Sequence, residues 1–80
     1  MKYYFTYVLV SEKDGKYYIG WTDNVERRLK AHNLGKAIST KDRKPFKLVY
    51  YEACLDRKKA IIREKQLKTG FGRKYIKKRV

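Results

Sequence analysis

One cysteine, one histidine, one proline and one tryptophan occur in this chain of eighty residues. The lone Cys54 excludes an intramolecular disulfide, and one cysteine with one histidine cannot assemble a zinc site. Cys54 ends an apolar strand and is expected to be a small buried hydrophobe. No stretch is rich enough in Ser, Gln or Pro to act as a linker, and no internal repeat is visible. The expectation is one domain over residues 1–80, near the lower size at which a chain folds without staples. The N-terminal run MKYYFTYVLV is too short to span a bilayer, lacks a small-residue cleavage site and alternates like a strand. A cytoplasmic protein is expected, nucleoid-associated if the cell is bacterial.

Acidic side chains are also scarce, 8 against 22 Lys and Arg, leaving a net charge of +14. Residues 1–40 hold seven basic and four acidic side chains, a balance of +3; residues 41–80 hold fifteen and four, a balance of +11. From Lys65 onward there is no acid at all. Such a gradient favours a polyanion partner, because neutralising phosphates releases condensed counterions. It argues against a membrane partner, since no helix pairs a basic face with a broad exposed apolar one.

Residues 3–10 and Lys16–Gly20 read as two strands joined through Asp14-Gly15, a strong hairpin signal. An even-numbered loop puts Tyr7 and Tyr18 on one face, diagonally adjacent if the loop has four residues. Helix one is expected from Asn24 to about Leu34, with Asp23 and Glu26 as a capping box and Gly35 as its stop. Lys36–Pro45, with four basic residues in ten, reads as a mobile cationic loop. Phe46–Cys54 is mostly apolar, which predicts a strand buried on both faces or central in its sheet. Asp56 opens a second helix ending near Thr69-Gly70, and Phe71–Arg79 predicts a third, docked through Phe71, Tyr75 and Ile76. The order ββαβαα gives an α+β fold, a three-stranded antiparallel sheet flanked by helices.

Two helices carry ionisable residues where an apolar stripe should run. Arg28 and His32 share a stripe with Val25 and Leu29, and Glu64 interrupts the face made by Ala60, Ile61 and Leu67. Such groups are costly near a core unless paired, so a guanidinium, an imidazole and a carboxylate aimed inward suggest a shared site, with Tyr7 and Tyr18 in reach. A Glu64 carboxylate merely paired with Arg28 or a lysine, with no metal, in a basic structural domain is the plainer alternative.

The ordered set Tyr7, Tyr18-Ile19-Gly20, Arg28, His32 and Glu64 resembles the GIY-YIG nuclease superfamily over essentially the whole chain. It is most similar to short stand-alone bacterial members and to the nuclease subunit of the eukaryotic branched-DNA resolving complex. The first motif departs from the pattern as Phe5-Thr6-Tyr7, and no asparagine follows Glu64. The resemblance implies a metal-dependent endonuclease acting on DNA, structure-selective and working in repair or recombination. Glu64 would hold a single Mg²⁺ or Mn²⁺ and Arg28 would stabilise the scissile phosphate. Tyr7 would take a proton from the attacking water, with Tyr18 positioning it. Arg28, the metal and the surrounding lysines would all favour the phenolate. His32 would contact the phosphate or move a proton; a cation capping its helix is the other reading. Gly20 reads as a structural residue easing the turn into helix one, and Trp21 as either a base-stacking residue or a seal on the sheet edge.

Lys41, Arg43, Lys44, Arg73, Lys74, Lys77 and Lys78 are the expected nucleic-acid contacts, with Arg73 or Lys74 standing in for the missing asparagine. Branched, flapped or single-stranded DNA fits an eighty-residue domain better than a long recognition site, and a partner protein or homo-oligomer would supply further specificity. The rival readings are a catalytically degenerate nucleic-acid-binding module and an RNA-directed or ribosome-associated factor.

Overall fold

The computed structural model describes residues 1–80. Its elements are β1 (Tyr4–Ser11), β2 (Tyr17–Thr22), α1 (Val25–Asn33), a 3-10 turn at Lys41–Arg43, β3 (Phe46–Cys54), α2 (Arg57–Leu67) and α3 (Gly70–Lys77). The strands form one antiparallel sheet in the order β2-β1-β3. No helix is long and apolar enough to cross a membrane.

The alternation of β1 divides the core in two. Val8 and Ile19 pack with Leu67 and Ile76 beneath α2 and α3, while Tyr7, Leu9 and Phe46 pack with Tyr18 and Leu29 against α1. The sheet is therefore covered by α1 on one face and by α2 and α3 on the other. The hairpin register sets Tyr7 opposite Gly20 and Leu9 opposite Tyr18. Ser11 N–H bonds to the Lys16 carbonyl at 3.0 Å, which leaves a four-residue loop and makes the two tyrosines diagonal neighbours.

Several local expectations are corrected. The central strand is β1, and β3 is an edge whose Tyr51 is exposed. Its unbroken apolar run comes from a bulge: Val8 pairs with Tyr50 but Leu9 with Leu48, so Val49 is the inserted residue. Leu48 then faces α1 while Val49 and Tyr50 face the other layer, and alternation vanishes from the sequence without burial on both sides. Helix α1 is capped by Asn24, whose side chain accepts from Arg27 N–H at 3.0 Å, and not by Asp23, which pairs with Lys2 and Arg27. Gly35 follows at φ +75°, the left-handed stop expected there. Phe71 is exposed, so α3 is held by Ile76 and Tyr75 without it. Cys54 is only half-buried, its thiol 3.3 Å from the Asp56 carbonyl.

The segment 36–45 is tied down. Ser11 Oγ donates to the Arg43 carbonyl, Asn33 bonds both ways to the Phe46 backbone, and Ala37 and Thr40 are buried. Its polar composition suggested mobility because the groups that hold it lie elsewhere in the chain.

Candidate active site

Tyr7 is almost completely buried although its side chain ends in a hydroxyl. It can lie flat because its cross-strand partner is glycine: a Cβ on Gly20 would stand 2.6 Å from Tyr7 Oη and 2.8 Å from Cζ. Gly20 thus makes room for the phenol, rather than easing the turn into α1.

The phenol is held at its tip by α1. Arg28 Nε donates to Tyr7 Oη at 3.4 Å, and His32 Nε2 lies 3.0 Å from the same oxygen. The Tyr18 ring stacks edge-on against His32 at 4.9 Å and lies 6.4 Å from the Tyr7 ring. His32 is fully buried, and its Nδ1 sits 2.6 Å from Thr40 Oγ1. Burial, reinforced by the nearby Arg28 charge, pushes the His32 imidazole down to about 4, so it is neutral at physiological pH. That removes the helix-capping cation from the readings of His32, and complete burial keeps it from reaching a phosphate directly.

Burial also raises the Tyr7 phenol above its ordinary value, and the Arg28 hydrogen bond only partly offsets this. Arg28 and the surrounding lysines do not by themselves yield the expected phenolate: desolvation penalises the anion more than the guanidinium rewards it. Arg28 is held protonated by its bond to Tyr7 and by the nearby Tyr18 hydroxyl.

Glu64 belongs to the opposite layer, lines neither of the clefts at this edge and makes no hydrogen bond to Tyr7, Tyr18, Arg28 or His32, so the structure does not bring it onto one face with Arg28. It lies on α2, on the far face of the sheet from Arg28, yet its charge acts on the Tyr7 phenol. Arg57, two turns before Glu64, lines one cleft with Arg28, Trp21, Tyr4 and Lys36. Lys68, one turn after Glu64, lines a groove with Tyr18, Lys16 and Arg73. The Glu64 side chain is 17% exposed and pairs with Lys68 at 3.1 Å.

The expected phosphate contacts divide. Arg73 lines the Tyr18 groove, and Lys77 follows it one turn along α3. Lys74 and Lys78, like Lys41 and Lys44, are exposed and line neither cleft. Arg43 is already committed: it pairs with Asp14 at 2.8 Å, donates to the Lys16 carbonyl and holds the Asp14 carboxyl down to about 2. Its guanidinium locks the β-hairpin to the 3-10 turn and is not free for a phosphate. Trp21 is partly exposed within the Arg28 cleft.

Sequence reasoning passed over Thr40, Arg57 and Lys68. The two cations carry a signal, since 57, 61, 64 and 68 form one helical stripe through Glu64. Thr40 carries none.

The chain matches the GIY-YIG catalytic domain over residues 3–77. It is 47% identical over 57 residues to a UPF0213 protein of Clostridium perfringens, covering 70% of this chain and 61% of that one. A UPF0213 protein of Staphylococcus haemolyticus is 44% identical over 62 residues, 76% of each chain. Among solved structures, the NMR structure of a UPF0213 protein from Bacillus halodurans matches with a TM-score of 0.55 and 34% identity, over 92% of this chain and 81% of that one. The chain thus spans about three fifths of the Clostridium relative's length.

Proposed function

This chain belongs to the GIY-YIG family of nucleases, and from that premise we propose that it is an endonuclease hydrolysing a phosphodiester bond in DNA with one Mg²⁺ or Mn²⁺. The observation that carries the reading is the hydrogen-bonded row Arg28–Tyr7–His32.

The donor set suits the ion. No group of three or more His, Cys, Asp or Glu gathers anywhere in the chain, so no zinc-type cage is present. One carboxylate at the β2 edge suffices for Mg²⁺, which keeps several waters and completes its shell with substrate oxygens. Glu64 would hold it once Lys68, about half exposed, turns outward to a phosphate. When bound, the cation would neutralise charge developing on the phosphoryl oxygens.

The residues do the rest. Arg28 uses Nε on Tyr7, which leaves its terminal nitrogens for the scissile phosphate, a contact that strengthens as charge accumulates. Tyr7 accepts a proton from the attacking water while passing its own to His32 Nε2. The water oxygen bonds to phosphorus, the bond to the leaving oxygen breaks, and solvent protonates the leaving group. His32 ends protonated. A phosphate on Arg28 would offset the charge that depresses His32, so the imidazole becomes a better acceptor when substrate is bound.

Two features bear on the substrate. The Arg28 cleft is lined by Trp21 and Tyr4 as well as by Lys36 and Arg57, a pairing of aromatic faces with cations that suits unpaired nucleotides. The groove with Lys16, Lys68 and Arg73 borders Tyr17, Tyr18 and Ile19 of the same β2 edge. A strand crossing the β2 edge would meet cations on both sides of the scissile bond.

The test is cleavage of nicked, flapped, four-way and single-stranded DNAs, with RNA copies of the same strands, with and without Mn²⁺. Glu64→Ala is expected to abolish cutting and keep binding, since losing an acid eases approach to a polyanion. Arg28→Ala is expected to lose about 10²-fold or more. A wild type that binds but cuts none of these with any metal would make a binding module the better account.

A further inference from the structure

Thr40 stands at the head of the 3-10 turn, where a threonine oxygen ordinarily accepts a backbone N–H and caps the helix. Here it makes no such bond. The side chain is fully buried, and its oxygen is turned inward to His32 Nδ1 at 2.6 Å. The other group within its reach is the Ala37 carbonyl at 3.4 Å, which can only accept.

The protons in this row can be placed by requiring that each hydroxyl hydrogen find an acceptor. Arg28 Nε–H can only donate, so Tyr7 Oη receives it and needs an acceptor for its own hydrogen. Within the protein that acceptor is His32 Nε2, which must then be bare. The hydrogen of the neutral imidazole therefore sits on Nδ1 and is donated to Thr40 Oγ1, whose own hydrogen goes to the Ala37 carbonyl. In the reverse arrangement Nε2–H and Arg28 both donate to Tyr7, leaving the phenol hydrogen without a partner inside the protein. His32 and Thr40 are completely buried and Tyr7 almost so in the resting protein, so the choice falls to these partners until the attacking water is admitted with substrate.

We propose that Thr40 is a positioning residue of this site: its hydroxyl holds His32 in the Nδ1–H tautomer, so that Nε2 stands ready for the Tyr7 proton. The inference rests on the proton relay proposed above, but it concerns the resting protein and can be read without substrate. It also assigns a purpose to the anchoring of segment 36–45, which carries Thr40 to the imidazole.

His32 is the only histidine, so histidine-specific ¹⁵N labelling of the full chain reports this one ring. At neutral pH the wild type is expected to show a protonated Nδ1 and an unprotonated Nε2. Thr40→Val removes the hydroxyl at nearly constant volume and is expected to populate the Nε2–H tautomer and to lower cleavage by about 10²-fold. Thr40→Ser keeps the oxygen and is expected to restore both the tautomer and the rate. A wild-type ring protonated at Nε2 overturns the proposal outright, even if the valine variant fails to fold. So does a folded valine variant whose tautomer is unchanged. Correct tautomers in a protein that cuts nothing would leave the positioning intact and refute the nuclease reading alone.

Discussion

Gly20→Ala adds one methyl group at the point where the fold and the site depend on the same cubic ångströms. The new Cβ would meet Tyr7 Oη at 2.6 Å and Cζ at 2.8 Å, whereas ordinary contact begins near 3.4 Å. The ring must therefore retreat by about 0.8 Å, further than a close-packed core yields without strain. Retreat breaks the 3.0 Å bond to His32 or the 3.4 Å bond from Arg28. Overpacking costs about 1–3 kcal/mol and a buried group left without its partner about 1–3 more. Alanine's better backbone entropy returns about 0.5–1. The net expectation is destabilisation of about 2–4 kcal/mol in urea unfolding, with cleavage lowered by about 10²-fold where the protein still folds. A double-mutant cycle isolates the cause. Tyr7→Phe removes the closest atom but leaves Cζ in place, so alanine at position 20 should cost less in that background, by at least about 0.5 kcal/mol. Equal costs in the two backgrounds would show that the clash with the hydroxyl is not the cause. An alanine variant of native stability and full rate would refute the reasoning entirely.

Two further outcomes follow from the charges. DNA affinity should fall with salt at a log–log slope of about −4 to −5, as for about five neutralised phosphates. Arg57→Ala should flatten that slope by about one, while Arg43→Ala, already paired with Asp14, should leave it unchanged and lower stability instead; a reversed pattern would move the binding face to the 3-10 turn. Stability should also depend on His32, whose buried ring protonates only near pH 4 while an unfolded imidazole does so near 6.5. Between those values the unfolded chain binds more protons, so stability is complete above about pH 6.5 and falls as pH drops towards 4, by about 2–3 kcal/mol. His32→Gln should remove this contribution, and urea titrations across that range would expose an unchanged slope.

The fold was legible where local chemistry and packing agree. Asp14-Gly15 turns the hairpin, Asp56 caps α2 with its carboxylate on Lys58 N–H, and Gly35 ends α1. Misreadings arose where a signal had two physical origins. The apolar run in β3 looked like double-sided burial because a bulge and a buried strand erase alternation alike. The polarity of residues 36–45 looked like mobility because Arg43, Asp14 and Ser11 bond to each other across the chain, which composition does not record. Phe71 carried the spacing of a docking residue, but Ile76 and Tyr75 fill the space beneath α3.

The candidate site was legible in its members rather than in its shape. Inward-facing Arg28, His32 and Glu64 suggested one common face, yet α1 and α2 lie on opposite faces of the sheet. A shared site would have to be completed across the open β2 edge, where Gly20 makes room for the Tyr7 ring. No pattern within a single helix encodes this, since it depends on which strand is left at the margin. The same geometry accounts for the electrostatics. A phenol under the sheet edge is desolvated enough to stay neutral, so the basic surface cannot ionise it at rest. Ionisation must wait for the proton to have somewhere to go, and in the proposed relay that place is His32, 3.0 Å from the phenol oxygen.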